Sequence, residues 1–473
     1  MVSGCKVEYR RPSQRSARTC YDIHPDENPR SPTEDPMTTP AFASLEALAT
    51  ESPLDASKIP DLYRGVRRTS AQICAPLQPE DCCVQSMPDV SPTKWHLAHT
   101  TWFFETFVLK ESDTGYRPLR EEYAYLFNSY YNTVGPQHSR PRRGTLSRPT
   151  LAEVMEFRAY VDDAMDRLFA TGRGLDDSTL AVLEQGLHHE QQHQELMLMD
   201  IKHVFSCNPL YPVYKERPAP EPTDVPAMGW IPFEGQLLWT GHESDRFAFD
   251  NESPRHREYI EAFEIADRLV TAGEYLEFIE DGGYARPELW LSDGWATVQA
   301  EGWDSPLYWI RDDGGKWNIM TLAGLRALEP SEPVCHVSYY EADAYARWRG
   351  CWLPIEGAWE AIADSIPIEG NFQEQGLFHP AALDADSVVP GRPSQLFGDV
   401  WEWTCSPYAP YPGYRPVDGA LGEYNGKFMC NQMVLRGGAC VTPASHMRPT
   451  YRNFFPPDAR WPFTGIRLTR APR

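Results

Sequence analysis

Pro212, Pro218, Pro220, Pro222 and Pro226 divide a 473-residue chain into two stretches of opposite texture. Proline fixes φ and offers no N–H, so such a run builds neither a helix interior nor a strand ladder and reads as a stiff, extended linker. Before it, apolar residues recur at helical spacing; after it come short strand-like runs, many Gly and Trp, and long irregular connections. The length itself asks for two cores. The expected class is α+β, with a helical bundle over residues 46–212, a linker over 213–226 and a β-rich domain over 227–473. Residues 1–45 hold too few apolar side chains to offset the entropy of ordering and read as a disordered tail, with Met37 as an alternative start.

Three helices carry the first half. Ser91 and Pro92 are expected as N-cap and first helical residue of a helix with Trp95, His99, Trp102 and Phe103 on one inward stripe. A second spans about 151–171 and a third about 178–205. The third contains His188-His189-Glu190-Gln191-Gln192-His193-Gln194-Glu195. His189 and His193 stand at i and i+4, which places two imidazoles one above the other on one face. Such a pair is a partial site for a borderline metal, although the same spacing also occurs on solvated faces, and a third ligand must come from elsewhere. His99, inward on another helix, is either that ligand or a core histidine. Inward histidines on two helices suit a bundle that holds a cofactor in its core. His96 and His188 project off the ligand face, and Glu195 either orients a ligand or solvates the helix. Beyond the linker, the clearest helix starts at Ser338, whose capping box is closed by Glu341.

A net charge of -23 excludes the clustered positive field that nucleic acid or an anionic membrane requires, leaving small molecules as partners. No apolar run approaches a spanning helix and the N-terminus lacks a signal-peptide pattern, so a cytoplasmic protein is expected. The 11 Cys are spread without CxxC pairs, as in a reducing compartment.

The second half carries an ordered series of motifs: Phe249-Asp250-Asn251-Glu252-Ser253-Pro254, Val270-Thr271-Ala272-Gly273-Glu274-Tyr275, Leu353-Pro354-Ile355-Glu356-Gly357-Ala358-Trp359-Glu360, Gly398-Asp399-Val400-Trp401-Glu402-Trp403-Thr404, Leu435-Arg436-Gly437-Gly438 and Gly465-Ile466-Arg467. These resemble the formylglycine-generating-enzyme or sulfatase-modifying-factor domain, a variant of the C-type lectin fold. Thr442 and Met447 stand where true formylglycine-generating enzymes carry their redox Cys pair, so that oxidase chemistry is not expected; Cys440 is out of register and reads as structural. The first half resembles a DinB-type bundle, and Ser91-Pro92-Thr93-Lys94-Trp95-His96-Leu97-Ala98-His99 matches the first ligand motif of the ergothioneine-biosynthesis sulfoxide synthases.

That resemblance implies iron(II) held by His99, His189 and His193. It implies a reaction in which dioxygen joins the sulfur of cysteine to the imidazole of hercynine (N-alpha-trimethylhistidine) and oxidises that sulfur to the sulfoxide. Tyr130 and Tyr131 are the expected proton or hydrogen donors, with Tyr424 a third candidate. Gln192, Asn453 and Phe454 match substrate contacts of the family, an aromatic face there suiting a trimethylammonium by cation–π attraction. Phe455 stands where the branch using gamma-glutamylcysteine has Asp, and Phe454 where it has Trp; the loss of the carboxylate favours free cysteine, with Arg140 or Arg143 as its carboxylate clamp. Three alternatives stay open at this point: a selenoneine-type synthase with a selenosugar donor, a zinc-dependent DinB-type thiol transferase, and a metal-holding bundle fused to a lectin-like binding module.

Overall fold

The computed structural model describes residues 56–472 apart from 219, 221 and 222; the expected tail and the Met37 start lie outside them. Four long helices build the first half: α1 (Ile59–Cys74), α2 (Thr93–Phe104), α3 (Leu151–Thr171) and α4 (Asp177–Ser206). Local chemistry sets their ends. Thr150 and Glu153 close a capping box on α3, which stops at Gly172 in the left-handed region, and Asp176 accepts the Thr179 N–H at the start of α4.

α2 departs from the expected stripe, because all 12 of its residues are buried. It is the central helix, packed against both α3 and α4, so no face is left to solvent. Its N-cap is Pro92 rather than Ser91, which is drawn instead into bonds with Asp200 and Arg143. At the α2–α4 crossing stands Gly186; a Cβ there would lie 2.6 Å from Phe104 Cε1 and 2.8 Å from Phe103 Cε1. Only glycine lets α4 come this close, three residues before His189.

The linker is not a free spacer where it is described. Tyr214 is buried, its N–H bonding Leu322 O at 2.9 Å and its hydroxyl Ile73 O at 2.7 Å. Beyond it the chain forms small sheets and short helices, among them Tyr339–Trp348 with the Ser338–Glu341 capping box. The four-stranded sheet that matters most runs in the order β3 (Asn453–Phe455), β2 (Met433–Arg436), β1 (Trp401–Pro407), β4 (Thr464–Gly465). The first two pairings are antiparallel and the last parallel.

The conspicuous motif residues of this half prove to be scaffold. Arg467 bonds Glu402 at 2.9 Å, and Glu402 also takes the Trp359 N–H at 2.8 Å. Arg436 reaches Glu360 at 2.8 Å, and Arg452 grips Glu356 with two bonds of 2.9 Å. Each buried cation has a carboxylate, as burial of charge demands.

Candidate metal centre and cavity

α2 and α4 bring three imidazoles together. The ring centroids of His99 and His189 are 5.0 Å apart, those of His99 and His193 4.8 Å and those of His189 and His193 4.6 Å. One ligand-capable nitrogen from each lies within 4.8 Å of the other two. His99 is stacked between Trp95 (4.6 Å) and Trp102 (5.5 Å), and its Nδ1 donates to Phe127 O at 2.6 Å. That bond leaves His99 Nε2 buried without a hydrogen-bond partner among the described residues, and the same is true of both His189 nitrogens. Buried polar atoms are ordinarily satisfied, so these vacant lone pairs point to a ligand. Burial pushes all three imidazoles below the ordinary histidine range, His189 to about 3. Three neutral, converging imidazoles fit a borderline divalent ion and leave it open positions.

The remaining residues of the eight-residue stretch face elsewhere. Glu190 accepts from Ser70 (2.6 Å), Arg67 (2.9 Å) and Arg158 (3.0 Å), and Gln194 donates to Val66 O (2.9 Å), which ties α4 to α1 and α3. A third face meets the second domain: His188 with His446 (2.9 Å), Gln191 with Ser445 (2.7 Å), Gln192 with Tyr451 (2.7 Å) and Glu195 with Trp401 (2.7 Å) and Thr442 (2.6 Å). Glu195 therefore neither orients a ligand nor solvates the helix. It is buried, and its partners are an indole N–H and a hydroxyl of the other domain. Thr442, at a position expected to lack redox chemistry, serves this junction.

An inner cavity of about 200 Å³ opens beside His193 between the two halves, and an outer one of about 230 Å³ adjoins it. Tyr130, Arg140, Gln192, Tyr424, Asn453 and Phe455 line both. Arg143 lines the inner one, buried, with its guanidinium 3.3 Å from the Trp95 ring centroid. It donates to the hydroxyls of Ser91 (2.9 Å) and Ser129 (3.0 Å), and burial pushes it down to about 9. Unlike the scaffold arginines it bonds no carboxylate among the described residues. Arg140 is exposed and bonds Asp89 O.

The tyrosines separate. Tyr424 lies with its ring 5.6 Å from His189 and donates its hydroxyl to Gln192 Oε1; burial holds that hydroxyl well above its ordinary value, hence protonated. Tyr130 meets Tyr424 at 5.8 Å. Tyr131 is fully buried behind Tyr130, against Trp102 (5.7 Å) and Phe107 (5.1 Å), and lines neither cavity. Phe454 stacks on Tyr408 at 4.0 Å and faces only the outer cavity. Two groups escaped sequence reasoning: His96, bonded to His193 Nδ1 at 2.8 Å, and Asp200, bonded to His96 at 3.0 Å. Their one signal was that Asp200 shares the face of His189 and His193 on α4.

Fold and site are those of a DinB-like bundle joined to a sulfatase-modifying domain, and the comparisons with known families agree. Residues 62–197 match the DinB superfamily, and 214–381 with 394–472 match the sulfatase-modifying factor enzyme 1-like domain. The chain is 32% identical over 408 residues to a hercynine oxygenase of Mycobacterium tuberculosis, covering 82% of this chain and 93% of that protein. It is 26% identical over 239 residues to ergothioneine biosynthesis protein 1 of Schizosaccharomyces pombe, covering 47% of this chain and 28% of that one. A formylglycine-generating enzyme of Streptomyces coelicolor is 25% identical over 267 residues, 48% of this chain and 83% of that one. The chain belongs to the hercynine oxygenase family. No helix among the described residues is long and apolar enough to cross a membrane.

Proposed function

We propose that this chain is an iron(II)-dependent sulfoxide synthase that joins the sulfur of free cysteine to the imidazole of hercynine and yields hercynylcysteine sulfoxide. The observation that carries the reading is the group of three neutral imidazoles with vacant nitrogens, set beside a cavity that contains a buried, carboxylate-free Arg143. Atoms and electrons balance with dioxygen alone. The S–H and ring C–H bonds are replaced by a C–S bond, one oxygen atom goes to sulfur, and the other leaves as water with the two hydrogens. His99, His189 and His193 would hold the metal. Iron(II) supplies one-electron chemistry toward dioxygen and thiolate, which zinc, fixed in oxidation state, does not.

The chain's own residues would do the rest. Arg143 takes the cysteine carboxylate, its fork held by Ser91 and Ser129 and its flat face by Trp95. Gln192, gripped by Tyr424 and Tyr451, stands where it orients the hercynine backbone. The outer cavity, with Phe249, Phe428, Phe454 and Phe455 among its walls, suits a trimethylammonium. Tyr424 holds a proton on a hydroxyl near the three imidazoles and is placed to give it up. Phe455 offers no charge to the cavity, which supports free cysteine over gamma-glutamylcysteine.

The test is oxygen uptake by iron(II)-reconstituted protein with hercynine and either thiol, with products identified by mass spectrometry. Hercynylcysteine sulfoxide formed mainly from free cysteine is the expected result. Protein shown to hold iron that consumes no oxygen with either thiol would sink the reading, and turnover of a thiol without oxygen by the zinc form would replace it with a transferase.

A further inference from the structure

Asp200, His96 and His193 form a buried line of hydrogen bonds. Asp200 Oδ2 stands 3.0 Å from His96 Nε2, and His96 Nδ1 stands 2.8 Å from His193 Nδ1. The same Oδ2 also accepts the Ser91 N–H at 2.7 Å, which fixes the carboxylate at the start of α2. Relative exposure is 3% for Asp200, 2% for His96 and 7% for His193, so no solvent competes for these bonds.

We infer that Asp200 and His96 are positioning residues that dictate which nitrogen of His193 is free to bind metal. The inference rests on the three-histidine site proposed above. A carboxylate only accepts, so His96 must carry its proton on Nε2. A neutral His96 then has a lone pair on Nδ1, and the facing His193 Nδ1 must be the donor. His193 is left with its lone pair on Nε2. His99 reaches the same state through a backbone carbonyl, since its Nδ1 donates to Phe127 O. Two of the three imidazoles are thus locked into one tautomer before any ion arrives, one by a neutral carbonyl and one by a chain that ends on an anion. The anionic end makes His193 the more basic donor of the two.

Geometry favours this role over mere packing. A structural pair would be served by any two bonded side chains, whereas here the acceptor-only group is at the far end and an imidazole, able to accept at one nitrogen and donate at the other, lies between. Replacing that imidazole by an apolar ring leaves His193 Nδ1 facing no acceptor, free to flip or to place its proton on Nε2.

The test uses the full-length protein and cobalt(II), whose visible absorption reports its coordination. Wild type, Asp200→Ala, His96→Phe and His96→Asn are titrated, with thermal melting of the metal-free forms as the folding control. Asp200→Ala and His96→Phe are expected to bind cobalt about 10–100-fold more weakly, the usual effect of removing a ligand's outer partner. His96→Asn, whose amide oxygen can stand in for Nδ1, is expected to recover most of that loss. Folded Asp200→Ala and His96→Phe that bind within about twofold of wild type would overturn the inference while leaving the three-histidine site intact; so would a His96→Asn as weak as His96→Phe. Wild type that binds no cobalt would overturn both readings together. If the apolar variants fail to fold, nitrogen-15 NMR of histidine-labelled wild type decides: His193 protonated at Nδ1 is expected, and protonation at Nε2 would be fatal.

Discussion

Tyr130, Tyr131 and Tyr424 illustrate how much a single contact decides at the scale of the residue. All three sit in aromatic-rich segments, and nothing local in the sequence ranks them. Tyr131 packs behind Tyr130 against Trp102 and Phe107, whereas Tyr424 arrives from the other half of the chain to lie over His189 with its hydroxyl on Gln192. Tyr424→Phe is therefore expected to lower kcat for the sulfoxide by about 10²–10⁴, the range for removing a general acid, with little change in the cysteine concentration required. Tyr131→Phe is expected to stay within about threefold of wild type, since the ring that fills the space is kept. Steady-state oxygen uptake with product quantification measures both, and a larger loss in Tyr131→Phe would reverse the order. His96 makes the same point from the other side. Its position off the ligand face is legible from helical periodicity, but what it touches there is not.

At the scale of the element, α4 serves three neighbours at once. His189 and His193 face the candidate metal site, Glu190 and Gln194 face α1, and His188, Gln191, Gln192 and Glu195 face the second half. Helical spacing made the first face readable; the other two are read as polar and solvated until their partners are known. A second element works by clasping. Glu423, one residue before Tyr424, accepts the N–H groups of Asn132 (3.0 Å) and Thr133 (2.8 Å), and Lys427 bonds Tyr130 O. The turn that delivers Tyr424 is thereby fastened to the loop that delivers Tyr130. Burial pushes the Glu423 carboxyl up, and the Thr133 hydroxyl and N–H outweigh that and hold it down at about 2. A carboxyl held below its unfolded value stabilises fully above that value, about 4.5, and loses its contribution as pH falls toward about 2. Amide exchange at residues 131–134 should accordingly rise through that window. In Glu423→Gln it should already be about tenfold faster at neutral pH and lack the acid dependence, as loss of a charge-assisted bond implies. Exchange unchanged by the substitution would mean that the clasp does not hold the loop.

For the whole molecule, the junction along α4 ties the bundle to the second half through buried bonds, among them Glu195 with Thr442 and Trp401. Calorimetry should show one endotherm, since neither half keeps its partners once α4 leaves. Thr442→Val, which strips Glu195 of its shorter bond, should lower stability by about 1–3 kcal/mol; two separate endotherms in the wild type would contradict this coupling. What the sequence alone determined was whatever depends on neighbours along the chain: the extents of α3 and α4, the Ser338 cap, the shared face of His189 and His193, and the ordered motifs that mark both halves. The packing of α2 on every side, the docking of Tyr214, the partners of Glu195 and the line from Asp200 through His96 to His193 were decided only by tertiary structure. His96 and Asp200 are 104 positions apart, and Glu195 and Thr442 247. Contacts at such separations depend on how helices cross and which register they adopt, and close packing settles that only when every element is in place.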